Sequence, residues 1–277
     1  MSENILLKNH QNRLKDGRGK GRGQSYVPFI QASDNRAPSE GWITRSLGWK
    51  TRRIHHTLSR HEYHYLLVQE WSDLVVDIRE QYPLDFDLTT KIARKLNVPH
   101  PHLNGENVIM TTDFMLTVIQ PDGKEMDFAR TIKPVNKLTR RTLELFELER
   151  RYYLELGLSW GIVLEKNKPM NLIKNIDWLY DTKELGSRDG VDAELVSMVS
   201  KPLFSLLSKN STKVSISKQC LTCDLELGLM PGTSLYIVKH MIANKHWVTD
   251  MHQLIRENKP LQLTLGSSYD SISKNYA

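Results

Sequence analysis

The chain has 277 residues, a mass of 32.1 kDa and a formal net charge of +6 at pH 7. That length suits two ordinary domains, and 39% hydrophobic with 25% charged residues excludes a disordered chain. No run approaches the roughly 18 apolar residues of a membrane span, and a polar, basic N-terminus with only two cysteines predicts a cytoplasmic protein without membrane contact.

The first 25 residues are predicted to form a flexible, basic arm. Residues 1–24 contain six basic and two acidic side chains, a net charge of +4. Arg18, Lys20 and Arg22 alternate with glycines, and glycine lets a chain follow a phosphate backbone at little steric cost. Two interpretations stay open, a DNA-contacting arm and a solubilising tail.

A helix is predicted to begin after Ser59, because apolar residues recur near a 3.6-residue period and Glu62 follows Ser59 at the spacing of a capping box. Glu62 has a second interpretation, as an acidic metal ligand in the first turn of a helix. The elements predicted up to residue 105 are short strands at 26–30 and 42–44 in an irregular region, a helix at 59–72, a buried strand at 74–78, and a loop or short helix at 85–105.

The next stretch predicts a β-hairpin, with strands at 107–119 and 125–132 joined by Gln120-Pro-Asp-Gly-Lys124. Asp113 lies inside the apolar part of the first strand, where a carboxylate is costly unless it is paired or bound to metal. Thr131 and Lys133 share a face of the second strand.

Hairpin pairing can bring Thr131 and Lys133 beside Asp113. Metal-assisted phosphodiester hydrolysis needs such oxygen ligands and a nearby cation. The arrangement is similar to the D-x(n)-[D/E]-x-K pattern of restriction-like nucleases, with threonine at the position that is usually acidic. The structural alternative is that Asp113 pairs locally and Lys133 is only solvated.

Beyond the hairpin, a domain boundary is predicted at 166–169, where Lys-Asn-Lys-Pro interrupts the pattern. The elements predicted here are a helix at 138–156, a strand at 160–164, helices at 172–180, 193–207, 217–226 and 233–244, a short alternating stretch at 261–265, and a polar tail at 267–277. Three helices followed by a small hairpin would suit a winged-helix domain.

Several blocks of the sequence, in order over about 1–180, resemble the TnsA endonuclease family. They are Gly17-Arg-Gly-Lys-Gly-Arg-Gly-Gln-Ser-Tyr-Val-Pro-Phe29, His55-His-Thr-Leu-Ser-Arg-His-Glu62, Glu70-Trp71, Val76-Asp-Ile-Arg-Glu-Gln-Tyr-Pro-Leu84, Thr112-Asp-Phe114, Ile132-Lys-Pro134 and Leu145-Phe-Glu-Leu-Glu-Arg-Arg-Tyr152. Residues after 180 resemble the family more loosely.

The resemblance implies an α/β restriction-endonuclease-like PD-(D/E)xK domain with a mixed sheet at 1–168, followed by a mostly α winged-helix-like domain at 169–277. It implies a nucleoid-associated endonuclease that cuts the 5′ strands at transposon ends in double-stranded DNA. A TnsB-like DDE transposase would cut and join the 3′ strands, and a TnsC-like ATPase regulator would dock on the C-terminal domain.

The resemblance also places the family's catalytic residues on Glu62, Asp113 and Lys133, with one or two Mg²⁺ ions (Mn²⁺ as substitute) held by Glu62 and Asp113. Thr131 would contribute a backbone carbonyl. Glu149 matches a family acid and is either a further ligand or a surface pair with neighbouring arginines. Arg18, Lys20, Arg22 and His61 are the expected DNA contacts.

Two other functions stay open. One is a stand-alone restriction or repair nuclease on the same core, although no extra target-recognition domain is evident. The other is a non-catalytic DNA-binding scaffold whose nuclease core has decayed at Thr131.

Overall fold

A computed structural model describes residues 5–34, 42–103, 105–209 and 211–267. The chain divides into two units, residues 1–168 and 169–277. The helices of the first unit are α1 (Ile5–Lys15), α2 (Arg60–Trp71), α3 (Phe86–Leu96) and α4 (Arg140–Glu155). Its strands are β1 (Thr44–Leu47), β2 (Ile54–Thr57), β3 (Val75–Pro83), β4 (His102–Leu103), β5 (Glu106–Asn107), β6 (Thr111–Ile119), β7 (Glu125–Lys133) and β8 (Ser159–Leu164).

The centre of the first unit is a four-stranded mixed sheet in the order β3-β6-β7-β8. The first two pairings are antiparallel, and β7 pairs parallel to β8. Sheets of this kind bury apolar residues on both faces when helices cover them. This mixed sheet with helices is the predicted α/β fold.

Each face of the sheet packs against a different helix set. On one face, Leu66 of α2 packs with Ile78 and Phe114 in one buried cluster. On the other face, Leu148 of α4 and Ile92 of α3 pack with residues of β6 and β7 in a second cluster. The sheet therefore lies between two helical layers.

The predicted helix at 59–72, the hairpin, the helix at 138–156 and the strand at 160–164 are confirmed, with boundaries shifted by a few residues. The hairpin turn is closed by Gln120 N donating to Lys124 O at 2.8 Å, and Gly123 supplies the left-handed conformation (φ +79°). The strand predicted at 74–78 continues to Pro83, and the segment 85–105 contains the eleven-residue helix α3.

The prediction of a flexible arm over the first 25 residues is wrong for the part of that segment that the structure describes. Residues Ile5–Lys15 form a helix, and the glycine-rich stretch after it folds back, with Gly19 N donating to Val27 O at 2.6 Å. Gly19 has φ +77°, and a Cβ on it would lie 2.2 Å from Pro83 Cγ. The glycines permit left-handed turns and a close approach to β3, which is the use that the prediction missed.

The two short strands predicted before residue 57 are also misplaced. Residues 26–30 form no strand; Tyr26 is instead buried, and its hydroxyl donates to Glu80 O at 2.9 Å. The strand predicted at 42–44 lies later, at Thr44–Leu47, where it pairs with Ile54–Thr57. A side chain anchored in the core, rather than a ladder, holds the earlier segment in place.

Among its described residues, the second unit contains four α-helices and one short antiparallel strand pair. Its elements are α5 (Met170–Leu179), α6 (Ala193–Lys209), α7 (Ile216–Glu226), α8 (Thr233–Ala243), β9 (Trp247–Val248) and β10 (Thr264–Leu265). The four helices are confirmed, and the winged-helix assignment stays a prediction. The predicted polar tail lies, from residue 268 onward, outside the described residues.

Two buried polar side chains organise this unit. Asp224 of α7 accepts from Gly232 N and Ser234 N, both at 2.7 Å, at the start of α8. Asn175 of α5 donates to Met251 O and accepts from Ile255 N. Among the residues described, no helix has the length and apolar character to cross a bilayer.

Candidate active site

Glu62 lies in the first turn of α2, which begins after Ser59. The Ser59 hydroxyl accepts from Glu62 N at 3.1 Å and donates to Glu62 Oε1 at 2.8 Å. Glu62 Oε2 accepts from Leu58 N at 2.9 Å rather than from the Ser59 amide of a standard capping box. The carboxylate is only 8% exposed. It therefore caps the helix while lying beside Asp113, whose charge acts on it.

Asp113 lies near the start of β6, one residue beyond the last β6–β7 pair, Phe114 with Arg130. Its Oδ2 accepts from Ile132 N at 2.7 Å, so the side chain takes the place of a backbone acceptor. The carboxyl group is surrounded by protein atoms yet keeps part of its surface accessible. The predicted approach of β7 to Asp113 is thus realised through this hydrogen bond.

Lys133 is the last residue of β7, two positions after Thr131. Burial raises the pKa of both Asp113 and Glu149, and the positive charge of Lys133 opposes part of that rise. Within the described parts of the chain, no hydrogen bond or ion pair engages the Lys133 ammonium. The structure therefore brings Glu62, Asp113 and Lys133 into one electrostatic neighbourhood, contributed by α2, β6 and β7.

The two carboxyl groups resist ionisation. Burial, followed by the charge of Asp113, raises the pKa of Glu62 well above the usual range of a glutamate. Burial and the charge of Glu149 raise the pKa of Asp113 in the same direction, against the opposing effects of Ile132 N–H and Lys133. Like charges in a desolvated site disfavour one another unless a cation lies between them.

Glu149 is fully enclosed behind this pair. Its Oε1 accepts from the hydroxyls of Thr112 and Thr131, the latter at 2.7 Å. Trp160 Nε1 donates to the Thr131 hydroxyl at 3.2 Å, which fixes that side chain further. Thr131 thus uses its side chain to hold Glu149. The predicted surface pair between Glu149 and Arg150 or Arg151 is wrong, because both arginines form ion pairs with Glu147 instead.

The donor set fits a hard divalent cation. Carboxylate oxygens are the ligands that Mg²⁺ and Mn²⁺ prefer, and Mg²⁺ is commonly bound by one or two carboxylates with several waters. Among the described residues, no three acidic, histidine or cysteine side chains converge as a ready metal site. Glu62 and Asp113 could supply two ligands, and water, a carbonyl or a phosphate oxygen would complete the shell.

Two of the expected DNA-contacting arginines are engaged within the protein. Arg18 donates to Asp34 at 2.8 Å and to Phe29 O at 3.2 Å. Arg22 pairs with Glu125 and lies 3.5 Å from Asp77. Lys20, between them, is exposed. The arm therefore offers less free positive charge than the sequence predicts.

His61, the fourth expected DNA contact, precedes Glu62 on α2. Its Nδ1 lies in a short hydrogen bond with the Lys168 ammonium. Partial burial, opposed by Glu165 and reinforced by Arg60, lowers the pKa of Lys168 to about 8. Sequence reasoning missed Lys168, since a lysine beside a proline in an interdomain stretch carries no pattern of its own.

A buried ionic network behind the site explains His55, for which the sequence suggested no role. Glu80, fully buried, accepts from Arg53 at 2.8 and 2.6 Å and from His55 Nδ1 at 2.8 Å. His55 Nε2 lies 2.8 Å from Thr51 Oγ1 and 3.4 Å from Glu70 Oε1. The network joins β2 and the turn before it to β3 and α2.

Gln81 is a second residue that sequence reasoning missed. It is 3% exposed, has φ +50° inside β3, and donates from Nε2 to Glu62 Oε2 at 3.2 Å. A left-handed conformation at a glutamine in a strand has no sequence signature, because Gly, Asn and Asp are the residues that usually adopt it.

Known proteins match this chain along most of its length. A family model described as "TnsA endonuclease C terminal" matches residues 169–251, and one described as "TnsA-like endonuclease N terminal" matches residues 72–165. The second range includes Asp113, Lys133 and Glu149. The chain is also 35% identical over 254 residues to "Transposon Tn7 transposition protein TnsA" of Escherichia coli, covering 91% of this chain and 89% of that one.

Proposed function

This chain belongs to the TnsA endonuclease family, and we propose that it is a metal-dependent DNA endonuclease that cuts the 5′ strands at transposon ends. Family membership supports a transposition endonuclease. The observation that carries the finer proposal is the convergence of Glu62, Asp113 and Lys133 from α2, β6 and β7. The mixed sheet below them is what a restriction-endonuclease-like PD-(D/E)xK domain requires.

In this proposal Glu62 and Asp113 hold Mg²⁺, with Mn²⁺ as a substitute. A cation bound there lowers the pKa of coordinated water and neutralises charge on the phosphate. The Lys133 ammonium positions the attacking water or stabilises the negative charge that builds up on the phosphoryl oxygens in the pentavalent state. Thr131 contributes its backbone carbonyl, and Glu149 orients the site through Thr131 or through a water.

The partners follow from the same proposal. The substrate is double-stranded DNA at transposon ends. Lys20 and His61 contact its phosphates. Arg18 and Arg22 contact the phosphates when they leave their internal carboxylate partners, Asp34 and Glu125. A TnsB-like DDE transposase cuts and joins the 3′ strands. A TnsC-like ATPase regulator docks on residues 169–277, for which the C-terminal family match is the support.

The structure favours this proposal over a decayed nuclease core. Threonine at position 131 is neutral, but its hydroxyl is built into the site through Glu149 and Trp160. A position left behind by decay would have no reason to hold a buried carboxylate beside Asp113. A stand-alone nuclease would cut DNA without the partner transposase, so the assay must compare cleavage with and without it.

The proposal is tested by cleavage of end-labelled transposon-end DNA with the partner transposase present. Mg²⁺ or Mn²⁺ should support 5′-strand cleavage, Ca²⁺ should support binding at most, and EDTA should abolish cutting. Asp113→Asn and Lys133→Ala should each remove 5′ cleavage while 3′ joining by the partner continues. Wild-type 5′ cleavage by either variant, or full activity in EDTA, would refute the assignment.

A further inference from the structure

Side-chain alternation along β3 inverts near its C-terminal end. Ile78 packs in the cluster with Leu66 of α2, so even-numbered positions there face α2. Tyr82, also even-numbered, packs instead against the cluster that contains Leu148 of α4. In a regular strand, side chains four positions apart lie on the same face of the sheet. The strand must therefore rotate about its axis between Ile78 and Tyr82.

Gln81 is where this inversion occurs. Its φ of +50° is the one left-handed backbone conformation within the strands of the described chain. As an odd-numbered residue, Gln81 would face α4 in a regular strand. The left-handed conformation directs its amide toward α2 instead, where Nε2 reaches Glu62 Oε2 at 3.2 Å. Irregular strand residues beside active sites commonly re-aim side chains in this way.

The remaining contacts of Gln81 hold this conformation. Its backbone carbonyl accepts from Phe29 N at 3.3 Å, and its Oε1 lies 3.4 Å from the Thr111 hydroxyl. The flanking pairs Glu80–Phe114 and Tyr82–Thr112 place it across the ladder from Asp113. Gln81 is therefore bonded to Glu62 through its side chain and lies opposite Asp113 through its backbone.

We propose that Gln81 is a positioning residue, whose side-chain amide holds the Glu62 carboxylate in the orientation that faces Asp113 and the cation. The inference rests on the proposed metal site. A left-handed glutamine is an unfavourable choice for stability alone, because glycine or asparagine would adopt the same backbone with less strain. Glycine has no side-chain amide and that of asparagine is one carbon shorter, so neither would replace the hydrogen bond of Gln81 to Glu62.

Two variants separate positioning from folding. Gln81→Gly removes the amide and relieves the backbone strain, whereas Gln81→Met removes the amide and keeps the strain. Both should bind Mn²⁺ about 10- to 100-fold more weakly, the usual effect of losing a group that orients a ligand. Their melting temperatures should differ from each other, because methionine keeps the strained backbone and fills the buried position, whereas glycine relieves the strain and leaves a cavity. Calorimetric titration of the full chain with Mn²⁺ alone measures the affinity.

Asn97 provides the matched control, because it has φ +52° at the C-terminal end of α3, outside the proposed site. Asn97→Gly should leave Mn²⁺ affinity at the wild-type value. Glu62→Gln tests the metal site itself. If Glu62→Gln keeps wild-type affinity, the proposed site fails. If Glu62→Gln loses affinity while both Gln81 variants retain it, or only the less stable one loses it, the positioning role is wrong.

Discussion

Glu62 performs two tasks that the sequence presents as alternatives. It caps α2 through Leu58 N and Ser59, and it lies beside Asp113 in a desolvated site. Two buried carboxyl groups with raised pKa values weaken the folded state when both ionise, unless a cation joins them. A purely structural capping residue would not need a second acid beside it.

Glu62→Gln separates these tasks, since glutamine also serves at the third position of a capping box. The variant should fold with an unchanged or higher melting temperature, because a neutral amide replaces a buried carboxyl group that is costly to ionise beside Asp113. Mn²⁺ affinity should fall by more than about tenfold and 5′ cleavage should be lost. The control is Glu147→Gln, which changes an exposed carboxylate paired with Arg150 and Arg151. Full cleavage by Glu62→Gln would return this residue to a structural role.

Among single residues, Asp113 and Lys133 could be predicted from sequence, because a carboxylate in an apolar strand and a lysine on the partner strand are visible as a pattern. The roles of Gln81 and Lys168 could not. The conformation of Gln81 depends on a hydrogen bond from Phe29, about fifty positions earlier in the chain. The position of Lys168 in the site depends on its hydrogen bond with His61, which is also distant in the chain. Contacts between residues so far apart in the chain produce no local sequence pattern.

At the scale of elements, periodicity and turn chemistry predicted well where packing agrees with them, as in α2, α4 and the β6–β7 hairpin. The glycine-rich segment was mispredicted because glycine permits both flexibility and tight left-handed turns, and composition cannot distinguish them. The burial of Tyr26 and the close approach of Gly19 to Pro83 show that this segment is packed against the sheet rather than flexible.

The packed segment makes a stability prediction. Gly17 has φ +90° with open space where an added methyl group would lie, so Gly17→Ala should cost about 1–2 kcal/mol of unfolding free energy from the backbone alone. Gly19→Ala should cost about 1–3 kcal/mol more, because its Cβ would overlap Pro83. Urea unfolding measures both. Equal and negligible effects would mean that the arm is flexible after all.

The buried network that joins β2 and the turn before it to β3 predicts a pH dependence of stability. Burial alone would lower the pKa of His55, but the charge of Glu80 and hydrogen bonds to Glu70 and Glu80 outweigh it and raise the pKa. A raised folded-state pKa means that the stabilisation is complete below about pH 6.5, the unfolded value, and is lost as the pH rises through the folded pKa.

The measurement compares wild type with His55→Gln by urea unfolding between pH 5.5 and 9. The difference cancels the contributions of Glu62 and Asp113, which both proteins share. The wild-type advantage should be largest at the acidic end and should narrow by about 1.4 kcal/mol for each unit by which the folded pKa exceeds the unfolded one. An advantage that stays flat or grows with pH would show that His55 is neutral in the fold.

At the scale of the whole molecule, the proposed catalytic residues all precede residue 169, where the second unit and the C-terminal family match begin. We therefore expect the fragment 1–168 to fold and to bind Mn²⁺ as the full chain does. Residues 169–277 should bind the ATPase regulator alone, and deleting them should uncouple cleavage from target selection. A pull-down in which 1–168 captures the regulator and 169–277 does not would overturn this division.

Anomalous diffraction from crystals of the full chain soaked in Mn²⁺ would show whether Glu62 and Asp113 jointly hold a divalent cation. We expect one or two anomalous peaks whose ligands include a carboxylate oxygen of each residue, at about 2.1 Å. Peaks bound elsewhere, or none near either carboxylate at saturating Mn²⁺, would contradict it.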